Sequence, residues 1–258
     1  MPRHTLALTL TLTAGLGLAQ AASATVISAN FVRGDRPTNH MADTDVAGVQ
    51  AVDNWNNVLV TQSGPTASAS DLNDSDGNST TLDVSLVYDF AGNANNGTNG
   101  NTKMMSSFVD ADGDLLDIDS DPLTPSVPGG ITFSQVPTDL ATTGYDLLVY
   151  FDRPGDVSLT ADITVGLTTF YATERASDFG IDQTFDRVTN IDENTREVGN
   201  YVIFQNLNAT SFLLNGNGSG GGDRLAITGV QFVEIPEPAS LALLGAGGLC
   251  LLGRRRSA

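Results

Sequence analysis

Cysteine, histidine, tryptophan and positive charge are all scarce in this chain. Among 258 residues there are one Cys, two His and one Trp. A single cysteine, Cys250, excludes an intrachain disulfide and any Cys-built zinc site. Two histidines, His4 and His40, leave little for imidazole acid–base or metal chemistry. A Ser-His-Asp triad would have to use His40, and one His among many hydroxyls is no triad signal. No Gly-x-Ser-x-Gly, phosphate-loop or His-Glu-x-x-His pattern occurs. Twelve basic residues stand against thirty acidic ones, a net charge of −18. A binder of phosphate backbones needs clustered Lys and Arg, so nucleic acid is excluded as a partner.

What is present is hydrophobic, small and polar. Hydrophobic residues make up 40% of the chain and charged residues only 16%, with 27 glycines. No repeat of 20–50 residues is visible, which excludes a solenoid or propeller. Strand signals recur at short spacing instead. Thr25 to Val32 is β-branched and aromatic. Leu82, Val84, Leu86, Tyr88 and Phe90 alternate with polar positions, Val87 being the one apolar interruption. Tyr145 to Phe151 is apolar on both faces, the pattern of a central strand covered on two sides. Further strands are expected at Ile131–Val136, Val157–Val165, Gln183–Val188, Asn200–Gln205, Ser211–Leu214 and Leu225–Val233. Asp45 to Val52 is the one helical candidate. Gly92 to Asn101 and Asp121 to Gly130 read as loops, and Asn215 to Gly222 as a hairpin connection. Nine or ten short strands with Gly- and Pro-rich turns predict an all-β fold, a single β-sandwich over residues 22–234.

Both ends differ from this body. Arg3 and His4 precede an uncharged run, Thr5 to Leu18, and Ala19-Gln20-Ala21 supplies an A-x-A cleavage pattern. That pattern predicts a secretory signal peptide, residues 1–21, with a helical apolar stretch too short for a stable span; the alternative cut follows Ala22-Ser23-Ala24. At the other end, residues 235–258, Ile235-Pro236-Glu237-Pro238 is followed by fifteen uncharged residues, 239–253, and then by Arg254-Arg255-Arg256. A helix of fifteen residues is about 22 Å long against a hydrocarbon core of about 30 Å. Snorkelling arginines recover part of the difference and hold the helix end on the cytoplasmic side. Residues 1–21 and 239–258 hold four basic residues and no acidic ones, so 22–238 carries eight basic against thirty acidic side chains, net −22.

The tail of Pro236-Glu237-Pro238, an apolar run and Arg254 to Arg256 resembles the PEP-CTERM sorting signal of Gram-negative bacteria. The resemblance implies that the exported chain is parked in the inner membrane, that an exosortase acts near the Pro-Glu-Pro, and that the destination is the cell surface or extracellular matrix. Exopolysaccharide is then a candidate partner. The body is similar to jelly-roll, galactose-binding-like modules through Ile27-Ser28-Ala29-Asn30-Phe31, Trp55-Asn56-Asn57, Leu72 to Gly77, and Arg224 to Gln231. That similarity implies fold more than activity.

Candidate sites within the body are few. Six aspartates fall between Asp110 and Asp121, and calcium takes six to eight oxygens. Asp110, Asp112, Asp114, Asp117 and Asp119 are therefore the candidate ligands, with Ca²⁺ the only candidate cofactor. It is not an EF-hand, because the terminal bidentate Glu is missing. Asp71 to Asn78 is a second acidic segment, with Asp-Gly turn chemistry as its plainer reading. Trp55, flanked by Asn54, Asn56 and Asn57, has the composition of a carbohydrate platform, against the plainer reading of a core residue. The expectation is an exported, non-catalytic surface or matrix protein. The alternatives are a carbohydrate-binding module and a secreted glycan-active enzyme, for which acidic pairs are too numerous to nominate one.

Overall fold

Strand β1 (Val26–Arg33) is buried at every position, so both of its faces are covered. The computed structural model describes residues 24–236 apart from 63, 65, 89, 94–96, 111–114, 117–126, 153–159, 175–182 and 220–224. Both expected terminal helices lie outside the described residues. Residues 24–237 form one compact unit.

After β1 and a 3-10 turn at Pro37–Asn39 come β2 (Asn56–Val60), β3 (Thr66–Ala69), β4 (Asp83–Val87) and β5 (Ala91–Asn93). Helix α1 (Gly100–Met105) leads to β6 (Ser107–Asp110), β7 (Leu115–Leu116), β8 (Val127–Pro128) and β9 (Gly130–Ser134). Helix α2 (Thr138–Thr143) precedes β10 (Tyr145–Phe151), β11 (Thr160–Val165), β12 (Thr168–Thr173) and β13 (Glu197–Val198). The chain then runs through β14 (Tyr201–Leu207), β15 (Phe212–Ser219) and β16 (Ala226–Glu234).

Two mixed seven-stranded sheets form a sandwich. The first has the order β14-β10-β16-β1-β2, with β6 beside the start of β16 and β5 beside β6. The second has the order β13-β12-β11-β15-β9-β4-β3. Pairing is antiparallel except for β1 with β2 and β12 with β13. Strands β7 and β8 make a separate two-stranded ladder. The inner faces meet in one apolar core. Phe133 and Phe212 from the second sheet pack on Tyr145 and Phe232 from the first. Ring centroids are 5.1 Å apart for Phe133–Phe232 and 5.4 Å for Tyr145–Phe232.

The apolar-on-both-faces reading of β10 holds, and so does its central place between β14 and β16. Leu147, Val149 and Phe151 enter the main core, while Leu148 and Tyr150 enter a second cluster on the outer face of the first sheet. Met41, Ala47, Trp55, Met104 and Met105 cover that face. The cover is pinned by Gln231, which is fully buried. Its Oε1 accepts from the Tyr150 hydroxyl at 2.5 Å, and its Nε2 donates to Gln50 O at 2.8 Å and Ser28 Oγ at 3.1 Å. Burial pushes the Tyr150 phenol well above its ordinary pKa, which keeps it a donor.

Several local expectations are corrected. Asp45 to Val52 is not a helix but a loop closed by the Ala47–Val52 bridge. Gly48 takes φ +89 there, and an added Cβ would lie 2.4 Å from Gln231 Oε1. Helix α1 falls partly in the stretch read as a loop. Asn99 caps it: its side chain accepts from Thr102 N–H, and the Thr102 hydroxyl accepts from Asn99 N–H. Gln183 to Val188 contributes only an isolated bridge at Arg187. Strands β2, β3, β5, β6, β7, β8, β12 and β13 were not anticipated; β5 overlaps the stretch Gly92 to Asn101 and β8 lies in Asp121 to Gly130, both of which read as loops. Asn215 to Gly222 is not a hairpin, because β15 runs on to Ser219 and pairs with β11 and β9, whereas β16 belongs to the other sheet. Gly216 serves close strand approach: a Cβ there would meet Asp162 O at 1.6 Å.

The Glu197 carboxylate holds the start of the loop that follows Val188. Glu197 Oε2 accepts from Thr189 N–H at 2.6 Å, Asn190 N–H at 3.1 Å and Thr189 Oγ1 at 3.1 Å. The backbone bond from Thr189 lowers its pKa below the ordinary glutamate value, against a raising contribution from desolvation. A lowered carboxyl pKa stabilises the fold above the unfolded-state value of about 4.3, and that contribution is lost as pH falls through the folded-state value. We expect the Glu197 carboxyl resonance to titrate below the ordinary glutamate value, with Thr189 and Asn190 amide shifts following it. Titration at or above the ordinary value would contradict this arrangement.

Candidate functional site

The clearest site is where the chain leaves the body. Strand β16 is paired along both edges, to β10 on one side and to β1 and β6 on the other. At its end, Glu234 N–H donates to Thr25 O at 2.9 Å, and Thr25 N–H donates to Glu234 Oε2 at 3.0 Å. Ile235 N–H then donates to Gly144 O at 3.0 Å, and Pro236 follows, exposed. The first described residues and the last thus leave the body side by side, because β1 and β16 pair with Val26 opposite Val233. The C-terminal segment is continuous with a central strand whose extraction would break the core. Glu237, Pro238 and Arg254 to Arg256 lie outside the described residues.

A model of the PEP-CTERM protein-sorting motif matches residues 234–256. The chain ends in a PEP-CTERM sorting motif. The match begins at the last residue of β16, so the sorting segment starts where the folded body stops. The motif implies an exported, surface-sorted protein processed by an exosortase. No curated protein matches the chain. No solved structure matches it either.

The other candidate residues fare differently. Asp110 ends β6 and is buried, with its Oδ1 accepting from Leu225 N–H at 3.0 Å. Asp112, Asp114, Asp117 and Asp119 lie outside the described residues. Asp152 and Glu174 follow β10 and β12 and are also buried. The ends of β6 and β10 meet at Ala226, the start of β16, which pairs with Asp110 and whose carbonyl accepts from Asp152 N–H at 3.1 Å. Ala226 is about 27 Å along β16 from the C-terminal exit. None of the three acids is free of partners. Among the described residues, no three His, Cys, Asp or Glu side chains gather to hold a metal.

Asp71 to Asn78 takes the turn geometry. Asp74 Oδ1 accepts from Asp76 N–H at 2.9 Å and Asn78 N–H at 2.8 Å, and Gly77 has φ +80. Asn56 ties this turn to β2 through Asn73 N–H and O, both at 2.8 Å. Trp55 is 3% exposed and its indole N–H donates to Val52 O at 3.1 Å. Its ring packs on Tyr150 and offers no open face on which a sugar could stack.

Sequence reasoning missed a groove on the open side of the sandwich, between β12 and β14. Its volume is about 420 Å³. Phe170 and Phe204 form the floor, their rings edge-on at 5.0 Å. Arg187, Thr168, Thr189 and Gln205 form an exposed rim. They come from three separate segments, so no local pattern links them. Arg187 is one of seven arginines in residues 22–238 and carried no signal of its own.

Proposed function

We propose that this chain is a non-catalytic component of the cell surface or extracellular matrix of a Gram-negative bacterium. A signal peptide exports it. Its C-terminal apolar run holds it in the inner membrane until an exosortase acts near Pro236-Glu237-Pro238. The sorting-motif match over 234–256 carries this reading. The geometry of the exit supports it, since the segment begins immediately beyond the pinned end of β16 and the enzyme need not unfold the body to reach it. A role without catalysis is supported by His40, the one histidine of the body, whose Nε2 is engaged with Arg33 O at 3.2 Å. The working role is structural or adhesive, on a jelly-roll-like scaffold.

Intact-mass spectrometry of the protein recovered from cells tests the reading. We expect a chain that begins near residue 22 and lacks Arg254 to Arg256. A mature chain still ending in Ala258 would overturn it. A second reading, a carbohydrate-binding module, is favoured by the groove between β12 and β14. A glycan-active enzyme would be recognised by release of reducing ends from polysaccharide.

A further inference from the structure

The sandwich is bridged along one side, where the chain passes from β2 at the edge of the first sheet to β3 at the edge of the second. Along the other side β14 forms the edge of the first sheet, facing β12. The edge of β14 is partly covered: Tyr201 N–H donates to Asp186 O at 3.3 Å, and Val188 N–H donates to Tyr201 O at 2.9 Å. Antiparallel alternation then turns the main-chain groups of Ile203 and Gln205 away from β10 as well. Both residues line the groove. Its walls therefore combine main-chain donors and acceptors, two Thr hydroxyls, a Gln amide and a guanidinium over an apolar floor.

We propose that this groove binds a neutral polysaccharide and seats one or two sugar rings. The volume of about 420 Å³ lies within the range of small-molecule sites. A sugar ring has an apolar C–H face for the half-buried side chains of Ile203 and Leu207, and hydroxyls that both donate and accept. Arg187 is exposed on the rim with its charge near the Glu197 carboxylate, and its planar guanidinium has donors enough for a ligand hydroxyl as well. Charge decides between glycan classes. Residues 22–238 carry net −22, which repels a polyuronate and leaves a neutral chain unopposed. The groove's geometry also disfavours an extended peptide adding to the sheet. Asp186 to Val188 cover the start of β14, and Asn206 takes φ +56 just beyond Gln205, leaving only Ile203 to Gln205 to pair.

A second cleft of similar volume lies beside the C-terminal exit and includes Asp74, Thr138 and Asp139. The Asp74 carboxylate is consumed by its own turn, and the cleft has no cation and no aromatic floor. It serves as the control.

The test is native affinity electrophoresis of the full-length chain in mild detergent. Gels are cast with neutral galactan, mannan, β-glucan or dextran, and with polygalacturonate as the charged comparator. We expect at least one neutral polysaccharide to retard the protein. Arg187→Ala, Gln205→Ala and Thr168→Arg change exposed positions, and each should weaken retardation, the first and last at least tenfold, with unchanged melting curves. Thr138→Arg, in the control cleft, should bind as the parent does. The proposal is overturned if no neutral polysaccharide retards the chain, if retardation survives all three groove substitutions, or if only polygalacturonate is bound. The proposal adds a ligand to the surface role above. Sorting is read by mass and the groove by binding, so either can fail while the other stands.

Discussion

Replacing Pro236, Glu237 and Pro238 together by alanine leaves the exported chain uncut in the inner membrane. A helix interior does not accept proline, so on the proposed sorting reading Pro236 and Pro238 offer the enzyme a segment that is not helical. Alanine is the best helix former. Three alanines would remove that barrier to helix and, with it, the feature the enzyme is proposed to read. The processed fraction should fall at least tenfold, with full-length chain accumulating in the membrane. Changing Arg254, Arg255 and Arg256 to glutamate should act differently. A run of about 22 Å holds in a core of about 30 Å only with help from its basic end. Without that end the tail is no longer retained, and uncut chain should appear in the soluble periplasmic fraction. Membrane fractionation with intact-mass analysis separates the two results. Normal trimming of the triple-alanine variant would show that the enzyme reads some other feature.

Phe232→Ala should destabilise the body by about 3–5 kcal/mol, a large share of the 5–15 kcal/mol that holds a typical domain folded. Phe232 is 1% exposed and touches rings from both sheets, with Phe133 at 5.1 Å, Tyr145 at 5.4 Å and Phe212 at 6.0 Å. Truncating it leaves a cavity bounded by rigid rings on strands β9, β10 and β15, which cannot close without shifting the sheets. Leu167 provides the contrast. It sits fully exposed at the turn between β11 and β12, and Leu167→Ala should change stability by no more than about 0.5 kcal/mol. Urea denaturation of both variants reads the difference. A loss under 1 kcal/mol for Phe232→Ala would mean that the two sheets do not share this core.

The alternation of Leu82, Val84, Leu86 and Tyr88 was legible because side chains in a strand change face at every residue, and all four are buried. The helical guess at Asp45 to Val52 failed for a tertiary reason. That segment is shaped by Gln231, nearly two hundred residues away in sequence, which bonds to both N–H and C=O of Gln50. The glycines of β15 read as a turn because composition cannot distinguish a chain that bends from one that another strand crowds. Trp55 read as either a binding platform or a core residue, because its asparagine neighbours are polar. In the fold Asn54 and Asn56 bond to main chain in the turn after Leu72 and on β1, Asn57 bonds to that of Met41, and the ring turns inward into the core.

The sorting signal needed no fold to be recognised. Its parts are contiguous, and its physics of a proline break, a short apolar run and a basic end acts within about two dozen residues. Strand identity and the class of fold were also local, resting on period-two hydrophobicity and turn residues. The pairing of those strands into two sheets, the burial of Trp55 and the gathering of Thr168, Arg187, Thr189 and Gln205 around one groove depended on contacts between distant segments. Those contacts are chosen by packing and by main-chain pairing across the whole body, and neither leaves a mark within any short stretch of residues.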